Sequence, residues 1–180
     1  MLRVLIADDH PLIRKGLIRI LCDSVYVDAV DEAADGFAAL DLLRERRYDV
    51  VVLDISLPGK DGMDVLPELK TLRPDVPVLM LSIQPEEQYA VRAFRLGASG
   101  CLNKSSAPEE LVRAIREVAS GGSYVSAAAS AALVSGVKSG DARPPHLLLS
   151  EREYQVMLLL AGGETVSGVA ESLNLSVRSA

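Results

Sequence analysis

The chain has few aromatic residues and few cysteines. Aromatic residues make up 4% of its 180 residues, there is no tryptophan, and the hydrophobic fraction of 49% is therefore mainly aliphatic. This length supports one large domain, or one domain plus a small one. The two cysteines, Cys22 and Cys101, lie in apolar segments and form no C-x-x-C pair. We therefore expect reduced, buried thiols rather than a cysteine metal site or a redox motif.

Excess positive charge and long apolar runs are also lacking. The net charge of −6 excludes a global attraction to nucleic acid or to an anionic membrane. No apolar run approaches the roughly 20 residues that span a bilayer. Asp8 and Asp9 come too early in the chain for the apolar core of a signal peptide. These absences predict a soluble, cytoplasmic protein with no membrane partner.

Short apolar runs alternate with amphipathic stretches over the first 122 residues. The alternation predicts an α/β fold, a flavodoxin-like doubly wound sheet of five parallel strands with helices on both faces. We expect Leu12 and Phe37 to face the core from their helices. The predicted strands are Leu2–Ala7, Val25–Val30, Val50–Leu53, Val76–Ser82 and Gly100–Asn103. The predicted helices are one beginning at Pro11, Gly36–Arg47, one capped by Asp61 that runs through Leu72, Glu86–Leu96 and Pro108–Ser120.

Polar residues stand where four of these strands end. Asp8 and Asp9 follow the first strand, Asp54 the third, Ser82 closes the fourth and Lys104 follows the fifth. Because ligands of such sheets bind outside the carboxyl ends of the strands, we expect these side chains to meet there. The three aspartates are hard oxygen ligands suited to Mg²⁺.

An ionised aspartate becomes a phosphoryl acceptor once a cation and a lysine screen its charge. One of these aspartates is then the candidate acceptor, with Lys104 as the point charge for a phosphoryl oxygen and Ser82 as a hydroxyl donor. Each residue alone also has an ordinary explanation, as a strand end, a loop residue or a solvated lysine. Their combination at four strand ends favours the functional interpretation.

Residues 123–146 change in character. Ser123–Gly136 is rich in alanine and serine and is compatible with a short helix, and Val137–Pro145 reads as a linker. Residues 147–180 then predict a small all-α unit. A capping box at Ser150–Glu153 opens its first helix, and Ser176 can cap a third helix just before the chain ends.

These motifs resemble a known family. Ile6-Ala7-Asp8-Asp9-His10, the segment Leu53–Gly62, Leu81-Ser82 and Leu96–Lys104 are similar to the receiver domain of two-component response regulators, over residues 1–122. Leu149–Glu153 and Leu173–Val177 resemble the helix-turn-helix domain of the NarL/FixJ (LuxR-type) subfamily, here a partial domain over 147–180.

The resemblance implies that Asp54 takes a phosphoryl group from a sensor histidine kinase. It further implies that Asp9 and Asp54 bind Mg²⁺ directly, with the backbone carbonyl of Ser56, while Asp8 acts mostly through water. Ser82 and Lys104 would sense the phosphorylated state and shift the fourth helix and fifth strand. In the family this drives homodimerisation or frees the effector domain to bind promoter DNA.

Two features depart from the family. Cys101 stands where an aromatic switch residue is usual, so we expect phosphorylation with altered coupling to the output; a tolerated core substitution is the alternative.

The recognition helix would begin at Ser176, Val177 and Arg178, with little chain beyond it. Over residues 147–180 two arginines oppose four glutamates, a net charge of −2 that argues against DNA binding by this chain.

The sequence leaves three functions open. The first is a response regulator of the transcription-factor type, and the second is a receiver-only module or phosphate sink without DNA output. The third, an enzyme, is disfavoured. A phosphatase would need a second acid at Ser56, and a dinucleotide enzyme would need G-x-G-x-x-G where Asp8–Pro11 stands.

Overall fold

A computed structural model describes residues 1–106, 108–126, 129–130 and 133. Strands and helices alternate in it from the first strand to the last helix. The strands are β1 (Leu2–Ala7), β2 (Val27–Ala33), β3 (Val50–Asp54), β4 (Val78–Ser82) and β5 (Gly100–Asn103). The helices are α1 (Pro11–Cys22), α2 (Gly36–Glu45), α3 (Gly62–Leu72), α4 (Ala90–Arg95) and α5 (Pro108–Ala119), with a 3-10 turn at Glu86–Gln88 before α4.

The five strands form one parallel sheet in the order β2-β1-β3-β4-β5. The order reverses direction after β1, and this reversal makes the sheet doubly wound. Val52 pairs with Ile6 on one side and with Leu79 on the other. The predicted doubly wound, flavodoxin-like sheet is confirmed.

Two apolar cores flank the sheet because successive strand residues point to opposite faces. On one face Val51 and Leu53 of β3 pack with buried residues of α2, α3 and α4. On the other face Val50 and Val52 pack with buried residues of α1 and α5. All residues of β3 and β4 are buried, as expected for central strands covered on both sides.

Two helices, α2 and α3, begin at aspartate caps, Asp35 and Asp61. Asp61 accepts a hydrogen bond from the backbone N–H of Met63 at 2.8 Å, which confirms the predicted cap of α3. The next residue, Gly62, presses against the end of β3. A Cβ there would lie 2.1 Å from the carbonyl oxygen of Asp54 and 2.9 Å from Cα of Ile55. Helix α3 therefore starts in direct contact with the backbone of Asp54.

Some predicted boundaries were wrong. β2 begins at Val27 rather than Val25, because a turn at Ser24 intervenes, in which the backbone N–H of Val27 bonds to the Ser24 carbonyl. β2 also continues to Ala33, through polar residues that suit an edge strand. The predicted helix Glu86–Leu96 is broken at Tyr89 into a 3-10 turn and the short α4.

Three side chains predicted to be buried are exposed. Leu12 is 87% exposed and Phe37 is 58% exposed, because both lie in the first turn of their helices, beyond the carboxyl edge of the sheet. Cys22 is an exposed thiol at the end of α1. Only Cys101 of the two cysteines is buried as expected.

The predicted helix-turn-helix unit, residues 147–180, lies outside the described residues, as does most of the predicted linker 123–146. The same holds for Ser176, Val177 and Arg178, so their DNA-binding role stays a prediction. Within the described part of the chain, every helix is too short or too polar to cross a membrane.

Candidate functional site

The carboxyl edge of the sheet gathers the polar residues singled out in the sequence. β1, β3, β4 and β5 are consecutive neighbours in the sheet and run parallel. Asp8 follows β1, Asp54 ends β3, Ser82 ends β4 and Lys104 follows β5. Because every strand ends at the same edge, residues far apart in sequence become neighbours there.

Lys104 joins two of the aspartates in a buried ion network. Its Nζ lies 2.6 Å from Oδ2 of Asp54 and 2.8 Å from Oδ2 of Asp8. The three side chains are 5%, 1% and 0% exposed, respectively. Burial alone would lower the pKa of Lys104, but the carboxylates of Asp54 and Asp8 reverse this effect and raise it. The lysine is therefore held as a cation beside the Asp54 carboxylate.

The Asp54 carboxylate is destabilised in its charged form. Burial raises the pKa of Asp54 from 3.8 to about 6, against the opposing effect of Lys104. The backbone N–H of Ser56 donates to Oδ1 of Asp54 at 3.2 Å and so orients the carboxyl group. An additional cation near this group would offset the unfavourable ionisation.

Four potential metal ligands lie together at this edge. One ligand atom from each of Asp8, Asp9, His10 and Asp54 lies within 4.8 Å of the others. Three carboxylates against the single ammonium of Lys104 leave a net charge of −2 when all are ionised. Such a cluster, dominated by oxygen donors and excess negative charge, fits a divalent cation of the Mg²⁺ type. The sequence had not placed His10 in the site, although it stands beside the two acids.

Ser82 links the carboxyl edge of the sheet to the loop after β4. Its side chain is 1% exposed, and its hydroxyl oxygen accepts a hydrogen bond from the backbone N–H of Gln84 at 3.0 Å. Its backbone carbonyl accepts from the N–H of Lys104 at 2.8 Å. A displacement of the Ser82 hydroxyl would therefore move the following loop.

Cys101 is fully buried among the residues that pack under α2, α3 and α4. Burial raises the pKa of its thiol well above the ordinary value, with a smaller contribution from Glu86. The position thus behaves as a small apolar core residue. A nearby ring is supplied by Tyr89, whose phenol donates to the carbonyl of Leu102 at 3.3 Å.

Besides His10, sequence reasoning missed two residues that support the edge. Arg14 donates to the backbone carbonyl of Asp8 at 2.6 Å and pairs with Glu32 at 2.7 Å. Asn103 bonds to both loops beside Lys104. Arg14 gave no signal beyond a charged helix face, whereas Asn103 is a polar residue at a strand end and could have been included.

Comparisons with known proteins identify the family of the chain. A model of the response regulator receiver domain matches residues 4–116. The response regulator UvrY of Escherichia coli strain K12 is 37% identical over 177 residues, covering 98% of this chain and 81% of UvrY.

Solved structures give the same result. A LuxR-family two-component response regulator from Aurantimonas sp. SI85-9A1 has a TM-score of 0.71 and 32% identity, covering 77% of this chain and 99% of that one. RcsB from Salmonella enterica serovar Typhimurium, bound to promoter rprA with phosphomimetic BeF₃⁻, has a TM-score of 0.66 and 27% identity. The match covers 99% of this chain and 86% of the RcsB chain. The chain therefore belongs to the response regulators of two-component phosphorelays, in the NarL/FixJ (LuxR-type) subfamily.

Proposed function

We propose that Asp54 is the residue that accepts the phosphoryl group, from the phosphohistidine of a sensor histidine kinase. The observation that carries this proposal is the buried Asp54 carboxylate held 2.6 Å from the Lys104 ammonium. A carboxylate oxygen of Asp54 attacks phosphorus and forms a P–O bond. The P–N bond to the kinase breaks, and the leaving imidazole nitrogen keeps the electron pair and takes up a proton. Lys104 then neutralises a phosphoryl oxygen.

Mg²⁺ is the cation that we propose for the acidic cluster. Asp9, Asp54 and the backbone carbonyl of Ser56 would hold it directly, and Asp8 would act mostly through water. Bound there, Mg²⁺ would neutralise charge on the acceptor and on the incoming phosphate. Asp8 also holds Lys104, and its Oδ1 accepts the backbone N–H of His10 at 2.8 Å, so it positions two neighbours of the site.

Ser82 and Lys104 are the proposed sensors of the phosphorylated state. A phosphoryl oxygen would accept a hydrogen bond from the Ser82 hydroxyl and draw the β4–α4 loop toward Asp54. Because Cys101 has no ring to fill the space that this movement opens, coupling through position 101 is altered in this chain.

Promoter DNA is the proposed output partner, since RcsB has been solved on promoter DNA and as dimers on DNA. Two further partners are proposed. One is a sensor histidine kinase, and the other is a second copy of this chain, bound through the receiver. The free thiols of Cys22 and Cys101 favour the reducing cytoplasm. We propose a signalling protein, not an enzyme with a turned-over substrate.

A second candidate is a receiver module or phosphate sink without DNA output. It is favoured by the net charge of −2 over residues 147–180, where a DNA-binding surface should be basic. Gel-shift titrations with promoter fragments, with and without acetyl phosphate, separate the two. Specific binding by this chain would exclude the sink, and its absence in both states would exclude the DNA output.

The acceptor is tested by intact-protein mass spectrometry with acetyl phosphate and Mg²⁺. We expect the parent chain to gain one phosphoryl group and Asp54→Asn to gain none. Asp64→Asn, at an exposed acid on α3, is the matched control and should be labelled like the parent. Full labelling of Asp54→Asn would refute the assignment.

A further inference from the structure

Asn103 spans the gap between the two loops that carry the proposed sensors. Its side-chain nitrogen donates to the carbonyl of Gln84 at 2.9 Å, in the loop after β4. Its side-chain oxygen accepts from the backbone N–H of Ser105 at 2.8 Å and from the Ser105 hydroxyl at 2.6 Å, in the loop before α5. Both ends of one amide are thus used, each on a different loop.

The Gln84 side of this bridge leads directly to Ser82. The N–H of Gln84 donates to the Ser82 hydroxyl, and its carbonyl accepts from Asn103. Any movement of that hydroxyl toward a phosphoryl group therefore pulls on the Asn103 amide through a single residue. The Ser105 side leads to α5, which begins at Pro108.

Glu86 holds the backbone of Asn103 in place through a hydrogen bond. The Glu86 side chain is buried, and its Oε1 accepts the N–H of Asn103 at 3.0 Å. Its other oxygen, Oε2, is buried without a hydrogen-bond partner among the residues described. A buried carboxylate is costly unless its bonds are retained, so this contact holds the main chain of Asn103 while its side chain bridges the loops.

We propose that Asn103 is a positioning residue that carries the phosphorylation-induced movement of the β4–α4 loop to Ser105 and the start of α5. This inference rests on the proposed function of Asp54 and Ser82, and it supplies a route to the output that bypasses the ring missing at Cys101. The ordinary alternative is a turn in which Asn103 serves only to bond the N–H two residues ahead.

Two substitutions separate a coupling residue from a turn residue. Asn103→Asp and Asn103→Ser both keep an oxygen that can accept from the N–H of Ser105. The Asp carboxylate has no proton to donate to the carbonyl of Gln84, and the Ser hydroxyl, one bond shorter than the Asn amide nitrogen, does not extend far enough to donate to it. A turn residue is replaced by either without loss. Because only Asn103→Asp adds a charge near Lys104, agreement between the two variants removes charge as the cause. Ser106→Ala, in the same loop, is the matched control.

The readout is the change in amide chemical shift on phosphorylation by acetyl phosphate with Mg²⁺, measured for the full chain at Gln84 and in the first turn of α5. We expect the parent and Ser106→Ala to respond at both places. Both Asn103 variants should keep the response at Gln84, while the response in α5 falls about fivefold, within the range for mutations that modulate coupling. Thermal unfolding verifies that each variant is folded.

Three outcomes would overturn the inference. An α5 response equal to the parent in both Asn103 variants would make the residue a turn former. Loss of the response at Gln84 in phosphorylated variants would show that Asn103 is needed for the movement of Ser82 itself, and not only for its transmission to α5. A parent chain without a phosphoryl group on Asp54, by mass, would refute the proposed function and this inference together, whereas a phosphorylated parent confines the failure to Asn103.

Discussion

Replacing Asp54 by asparagine should stabilise the metal-free protein at neutral pH. Asp54 is 1% exposed, and burial raises its pKa to about 6. A carboxyl group whose pKa is raised by folding contributes stability that is fully present below its unfolded pKa of 3.8. That contribution is lost as the pH rises through about 6, because the folded state resists ionisation.

The magnitude follows from the difference between the two pKa values. A difference of about two units corresponds to about 3 kcal/mol at 1.36 kcal/mol per unit. Asparagine has nearly the same shape and cannot ionise, and Lys104 keeps Asp8 as a counter-ion at 2.8 Å. The free energy of unfolding of Asp54→Asn, relative to the parent, should therefore rise by about 2–3 kcal/mol between pH 4 and pH 7.5.

Urea denaturation followed by circular dichroism, at several pH values and with a chelator present, measures this difference. Subtracting the parent from the variant cancels the titration of groups away from the site. Asp28→Asn, at an exposed carboxylate on β2, is the control for the substitution itself. A variant-minus-parent difference that does not change with pH, or that falls as pH rises, would refute the claim that burial dominates at Asp54.

Three further outcomes are expected. Gly62→Ala should destabilise the chain by at least about 2 kcal/mol, since its Cβ meets the backbone of Asp54, whereas Gly16→Ala, with open space in α1, should stabilise it by about 0.5–1 kcal/mol in the same denaturation assay. In thermal unfolding, Mg²⁺ at ten times its dissociation constant should stabilise the parent by about 1.4 kcal/mol, and Asp54→Asn by less; equal shifts would argue against the site. A thiol reagent should label the exposed Cys22 rapidly and the buried Cys101 only on unfolding, as peptide mass mapping can verify.

Much of the sheet could be predicted from the sequence because its central strands are continuous apolar runs. Four strand ends placed Asp8, Asp54, Ser82 and Lys104 at one edge, and the structure brings the first, second and fourth into direct contact. The prediction that these residues share one edge succeeded because parallel strands run in the same direction. Residues at their carboxyl ends therefore lie at the same edge of the sheet.

The remainder depends on contacts between distant residues. The helix predicted from Glu86 is broken because the side chains of Glu86 and Tyr89 form hydrogen bonds to the backbone of β5. The periodicity of the local sequence cannot predict these long-range hydrogen bonds. Leu12 and Phe37 fit an amphipathic pattern, yet the sheet does not extend far enough to cover them. Helix periodicity predicts which way a side chain points, but it does not predict where the neighbouring sheet ends.

Gly62 shows how a residue without a functional group can become subject to selection for function. Its missing side chain lets α3 rest on the carbonyl of Asp54. Changes elsewhere on the exposed face of α3 leave that contact alone, whereas any larger residue at position 62 displaces the backbone of Asp54, the proposed acceptor. If Asp54 is the acceptor, as proposed, phosphoryl chemistry restricts which amino acids evolution can tolerate at the start of α3, through nothing more than the volume of one methyl group.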